Sequence, residues 1–113
     1  MPTIKQNINT WSNDGSWKNS GEEWSEAWGS TANLWYGTLM PRIKNFVFCG
    51  HILEIAPGHG RITEYLRKCC EKLTIVDLNE SCINICKEQF KGSNKGISKW
   101  PIYDRSKNHQ NCF

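Results

Sequence analysis

The apolar positions of this chain change period from one stretch to the next. Residues 1–20 are rich in Asn, Ser, Thr, Lys and Gly, and Trp11 and Trp17 are their only aromatic rings. Ordering such a stretch gains little burial, which predicts a flexible tail with no element of its own. Ser20-Gly21-Glu22-Glu23 then fits a capping box, and helices are expected over residues 21–48. Trp24, Trp28, Ala32 and Trp35 follow at helical spacing and line one face with indoles, although Gly29 and Thr31 can break it. Packing is the plain interpretation of that stripe. The sharper one is a lid over a ligand pocket, with Trp35 and Tyr36 nearest to it. Thr38 ahead of Pro41 is compatible with the capped start of another short helix.

The period changes in the middle of the chain. His51-Ile52-Leu53-Glu54-Ile55-Ala56 is a short apolar run bounded by Gly50 and Pro57-Gly58, as expected of a strand buried on both faces. Ile62, Tyr65, Leu66 and Cys69 fall at i, i+3, i+4 and i+7, predicting an amphipathic helix from Arg61 to about Cys70. Leu73 to Leu78 is a second strand, and Ser81 to Phe90, with Ile83, Cys86 and Phe90 on one side, a second helix. Strand, helix, strand and helix over residues 49–91 make a right-handed βαβ unit with its following helix, the start of a parallel α/β sheet. Beyond Lys91 the pattern stops. Gly92, Ser93, Asn94 and Gly96 predict a loop in an irregular tail over 92–113, within which Ile97 to Tyr103 is at most one weak strand, confined to an edge by Pro101.

Composition narrows the choices. A chain of 113 residues, 38% hydrophobic and 22% charged, has room for one small domain and excludes a two-domain enzyme. The net charge of +3 comes from 14 basic and 11 acidic residues spread along the chain, which is no footprint for nucleic acid. Nowhere do 18 apolar residues run uninterrupted, so no membrane span is expected. Cys49, Cys69, Cys70, Cys82, Cys86 and Cys112 form no C-x-x-C pair and follow no secretory signal, which predicts a reduced, cytoplasmic protein with buried thiols. Cys82 and Cys86 can share a helix face, but two thiolates do not close a tetrahedral site, and no metal is expected.

The chemistry gathers where the first strand meets its helix, in Glu54-Ile55-Ala56-Pro57-Gly58-His59-Gly60. Glycines there let the chain turn sharply and let a ligand approach the backbone. Amides at the following helix start point into the same space. A carboxylate at position 54, closing an apolar strand, is costly to bury unless it meets a partner such as a ligand ammonium. Asp77 closes the second strand, where an acidic residue lies beside the ribose of a bound nucleoside; alone, it reads more readily as a helix N-cap or turn residue, and Glu54 with the glycines tips it toward function. The dinucleotide pattern G-x-G-x-x-G fails, because counting from Gly58 puts Thr63 in its third place.

E-I-A-P-G-H-G followed by V-D-L matches, with Ala56 as the one departure, the acidic-x-G-x-G-x-G pattern of S-adenosylmethionine-dependent methyltransferases. Over about residues 50–91 the chain resembles the class I superfamily of these enzymes, and W-G-S-T-A-N-L-W-Y-G-T-L-M-P-R-I is similar to the leading helices of some bacterial members. The resemblance implies a Rossmann-like parallel sheet and S-adenosyl-L-methionine as cofactor. It puts Glu54, Ala56, Gly58 and Gly60 around the methionine moiety, Asp77 on the ribose and Leu78 against the adenine, with His59 and Arg61 in the turn. It names no catalytic residue: His51, His59 and His109 are candidates by chemistry alone, and only His59 falls near the expected pocket. The methyl acceptor is expected to be a small or sugar-like molecule, not nucleic acid. The later strands that carry the acceptor site in that family have no counterpart here. The chain is therefore expected to be an incomplete, cofactor-binding half, a poor enzyme alone, exposing Ile52, Leu53 and Ile55 on a sheet edge open to self-association. Two rivals stand beside this expectation: a non-catalytic remnant or interaction module, and the nucleotide-binding half of an oxidoreductase.

Overall fold

Two aliphatic runs pair side by side: β1 (Cys49–Ile55) lies parallel to β2 (Cys70–Asp77), with Ile52 opposite Leu73 and Glu54 opposite Ile75. A third strand, β3 (Ile97–Pro101), runs parallel to β2 on its other side, giving a sheet in the order β1-β2-β3. The structure, a computed structural model, describes residues 1–12, 17–91 and 97–101, the last five as backbone only. The loop expected at Gly92 to Gly96 and the tail beyond Pro101, with His109 and Cys112, lie outside the described residues. The chain is thus a small α/β domain with a parallel sheet. Pro101 is the last residue of β3, and β3 lies at the edge of the sheet among the described residues.

β2 is the central strand, and Leu73, Thr74 and Ile75 are all buried. β1 differs from the expectation of burial on both faces. His51, Leu53 and Ile55 are exposed while Ile52 and Glu54 are half-buried, the period of a strand packed on one face. A continuous apolar run does not distinguish these cases, because the covering layer comes from elsewhere in the chain. The open edge expected of this strand therefore exposes Leu53 and Ile55, but not Ile52.

Between β1 and β2 the helix is much shorter than its apolar spacing suggests, with α4 covering Thr63–Leu66 only. Lys68 and Cys69 donate to the carbonyls three residues back, which tightens the helix end, and Cys70 is already paired with Cys49 in the sheet. The buried side is nevertheless the expected one, with Leu66 and Cys69 inside. After β2, α5 (Glu80–Gln89) packs Cys82, Ile83 and Cys86 inward.

The N-terminal part holds the larger departures. Residues 4–11 form an α-helix, α1 (Ile4–Trp11), where a tail without structure was expected. Its cap was present in the sequence as T-x-x-Q: Thr3 Oγ1 accepts from the Gln6 N–H while Gln6 Oε1 accepts from the Thr3 N–H. Glu22–Trp28 is a tight 3₁₀ turn and not an α-helix. The expected capping box is replaced: Gly21 and not Ser20 is the N-cap, it has no side-chain cap bond, and Glu23 accepts from the Gly21 and Asn19 N–H groups. Gly29, at φ +88°, ends that turn and breaks the indole stripe: Trp24 and Trp28 stay partly exposed while Trp35 is buried.

From Ser30, whose hydroxyl accepts from the Asn33 N–H, the chain runs through α2 (Thr31–Leu34) and a wide π turn (Trp35–Leu39) into α3 (Met40–Val47). Thr38 does not cap α3. Pro41 cannot donate to the preceding turn, and the ladder widens there so that the Met40 N–H reaches the Trp35 carbonyl. Trp35 stacks on Tyr65 at 5.2 Å and joins Val47, Leu66, Leu73, Ile75 and Phe90 in the core. No helix among the described residues is long and apolar enough to cross a membrane.

Candidate functional site

At the C-terminal end of β1 three alternate residues take left-handed backbone angles: Ala56 at φ +58°, Gly58 at +59° and Gly60 at +85°. Ala56 stands where the methyltransferase pattern has a glycine, and its conformation is the glycine-like one, at a cost of roughly 1–2 kcal/mol for a residue with a Cβ. The loop is held in place from three sides. The Ala56 N–H donates to the Val76 carbonyl at 2.7 Å, the Gly58 N–H to Asp77 Oδ2 at 3.1 Å, and the Cys86 thiol to the Gly58 carbonyl at 3.4 Å.

Asp77 is buried at the end of β2, and its second oxygen accepts from the Asn79 N–H at 2.8 Å. It is therefore a turn residue that ties both strand ends together, and it also lines a cleft. Gly60 serves packing: a Cβ there would meet the Phe90 ring at 2.9 Å and Cys86 Sγ at 3.2 Å. A Cβ on Gly58 would instead run into the ring of Trp17.

The cleft holds about 350 Å³, within the range of small-ligand sites. Its floor is Ala56, Gly58, Asp77, Leu78, Asn79 and Cys82; its roof is Asn7, Trp11, Trp17 and Trp24. Ser12 Oγ donates to Asn79 Oδ1 at 2.8 Å and pins the end of α1 to the turn after β2. Trp17 stacks on His59 at 4.0 Å, and its Nε1 donates to the Trp11 carbonyl at 2.7 Å. The indoles over the cleft are Trp11, Trp17 and Trp24, whereas Trp35 and Tyr36, expected nearest a pocket, pack around Tyr65. The signal that could have found this is the presence of two indoles in a polar segment, because such large rings rarely stay unpacked.

The expected site residues divide. Ala56, Gly58, Asp77 and Leu78 share the cleft, whereas His59 and Gly60 border a neighbouring hollow of about 360 Å³ with Glu22, Thr31 and Tyr65. Arg61 donates to Ser25 Oγ at 2.6 Å and fastens the N-terminal turn to the loop. The Glu54 carboxylate accepts from Thr63 Oγ1 at 2.7 Å. Burial pushes the Glu54 carboxyl up to about 7, the Thr63 hydroxyl works against that shift, and the nearby Asp77 charge adds to it. His51 shares a hydrogen bond with Thr74 across the sheet.

Burial likewise raises Cys82 to about 11 and Cys86 to about 12, with the Asp77 charge contributing to both, so each is a thiol at neutral pH. Among the described residues no three His, Cys, Asp or Glu side chains converge as metal ligands. The cleft lining contains one carboxylate, apolar and aromatic surface, and no Lys or Arg among the described residues. Such a cleft suits a neutral or cationic planar molecule better than a pyrophosphate. No protein-family model, curated protein or solved structure matches the chain.

Proposed function

We propose that this chain is the cofactor-binding half of an S-adenosylmethionine-dependent methyltransferase with a Rossmann-like sheet. The carrying observation is the floor of the cleft, where Ala56 and Gly58 after β1 lie against Asp77 and Leu78 at the end of the parallel neighbour β2. Parallel sheets bind nucleosides at that end of their strands. Asp77 keeps lone pairs for a ribose hydroxyl beside its two amide partners, and Leu78 offers apolar surface to a base. Glu54 is not among the residues lining the cleft; its carboxyl accepts from Thr63, and an ammonium role for it belongs to the resemblance alone. The dinucleotide rival is disfavoured by the failed G-x-G-x-x-G spacing, which has Thr63 in its third place. The cofactor supplies an electrophilic methyl group; the chain's share is to hold and orient it, and Trp17 must lift from Gly58 to admit its full length. The acceptor belongs to the same proposal as a small or sugar-like molecule.

Calorimetric titration of the folded chain with S-adenosylhomocysteine, and with NAD as control, tests this. Binding of the first and not the second is expected, and Asp77→Ala should weaken it by about 1–3 kcal/mol through loss of a charge-assisted hydrogen bond. A folded chain that binds neither overturns the proposal. One observation favours the non-catalytic remnant: Trp17 already covers the glycine loop, and both Asp77 oxygens already hold backbone amides. On that reading Asp77→Ala lowers stability and there is no affinity to lose.

A further inference from the structure

Three indoles around one cleft are more than a ribose and a base require. Trp11, Trp17 and Trp24 lie 4.7–6.1 Å apart between ring centroids and are inclined to one another by 62°, 67° and 82°. Rings so inclined pack edge to face against one another, and together they form one aromatic wall of the cleft. Trp11 is 41% and Trp24 40% exposed, so the roof presents aromatic surface that the protein's own core does not use. Beneath them Asp77 is 6% exposed, and the partners of its carboxylate are two neutral backbone amides. Among the described residues no Lys, Arg or His forms an ion pair with it, and none of the cleft's lining is cationic.

Aromatic walls over a buried anion select a particular kind of guest. The negative faces of indole rings attract cations, most strongly those whose charge is spread over methyl groups and which lose little hydration on entry. Inorganic cations hold their water too tightly for an aromatic lining, and anions meet Asp77. We infer that the tryptophan-roofed cleft binds a methylated onium ion, a sulfonium or a quaternary ammonium, with Trp11, Trp17 and Trp24 as walls and Asp77 as counter-charge. For the sulfonium this rests on the cofactor proposal and sharpens it, because the cleft then prefers the charged S-adenosylmethionine to its neutral demethylated product. For the ammonium it stands on the cleft alone.

The test uses the full chain at constant ionic strength and follows the indole N–H resonances of its six tryptophans. One pair of probes is choline and its neutral carbon isostere 3,3-dimethylbutanol; the other is S-adenosylmethionine and S-adenosylhomocysteine. In at least one pair the charged member should bind about tenfold more tightly and shift the roof indoles, and Trp24→Leu and Asp77→Asn should each remove most of that preference. Trp24→Phe, which keeps an aromatic wall, should retain it and guards against a folding defect. Choline binding without either adenosyl compound upholds the onium site and removes the cofactor proposal. Equal binding of the two adenosyl compounds, with no response to choline, overturns the onium site and leaves the cofactor proposal standing. No response to any probe overturns both.

Discussion

The floor and the roof of the cleft are built by different forces. The floor is a pair of strand ends whose loops are bound by backbone hydrogen bonds from Ala56, Gly58 and Asn79, all closing on β2. It sits on a core of Leu73, Ile75, Cys86 and Phe90 and has little room to move. The roof residues Asn7, Trp11, Trp17 and Trp24 belong to no strand, and ring contacts, the Ser12–Asn79 bond and the Arg61–Ser25 bond hold that part of the chain to the floor and its loop. Backbone ladders and dense packing make a part hard to displace; isolated ring contacts, each worth about 0.5–1.5 kcal/mol beyond the area they bury, make a part that lifts. On the proposed function, a firmly held floor under a more weakly held roof admits the ligand from above.

That contrast breaks most readily at Gly60. Gly60→Val places a branched side chain at φ +85° against Phe90 and Cys86, combining left-handed strain with overpacking, for a loss of about 3–4 kcal/mol. Urea unfolding checks it, and a loss below about 1 kcal/mol would mean that the floor yields as easily as the roof.

The next effect is at Glu54. Its folded value of about 7 lies above its ordinary 4.5, so the folded state holds the proton more tightly and stability falls as pH rises between those values. Glu54→Gln keeps an acceptor for Thr63 without the charge, and at pH 8 it should be more stable than the parent by about 2 kcal/mol, with no gain at pH 4. Denaturation curves for both proteins across that window measure the difference, and parallel pH profiles would contradict a buried, unpaired carboxyl.

The smallest effect is on the roof. Trp17→Ala removes its contacts with His59 and Trp24 but no ladder bond, and should cost only about 1–2 kcal/mol while the amides of β1 and β2 keep their hydrogen-exchange protection. Loss of protection in β1 would show that the roof supports the floor.

Legibility followed the same division. β2 and α5 were readable because their apolar residues carry the period of the element they form, and Asp77 and Leu78 were readable because a strand end fixes their position in the sheet. Glu54 fell at the right end of β1, yet its partner is Thr63, a residue no motif singled out. α1 was missed although Thr3 and Gln6 spell its cap, since a polar composition outweighed a local signal. The length of α4 was overestimated, because apolar spacing records which side of a segment is buried and not where the sheet takes the chain back.

Local chemistry alone determined the two strands and the helical segment between them, the turn at Gly58 and Gly60, and the acidic residue that closes β2. These depend on side-chain period, on residues that tolerate positive φ, and on short-range hydrogen bonds, all of which act between near neighbours. Tertiary structure decided the exposed face of β1, the use of Gly60 for packing, and above all the placing of Trp11, Trp17 and Trp24 over Gly58 and Asp77. Those outcomes depend on which surfaces distant segments find to cover, and an indole in a polar stretch carries no mark of where its ring will be buried.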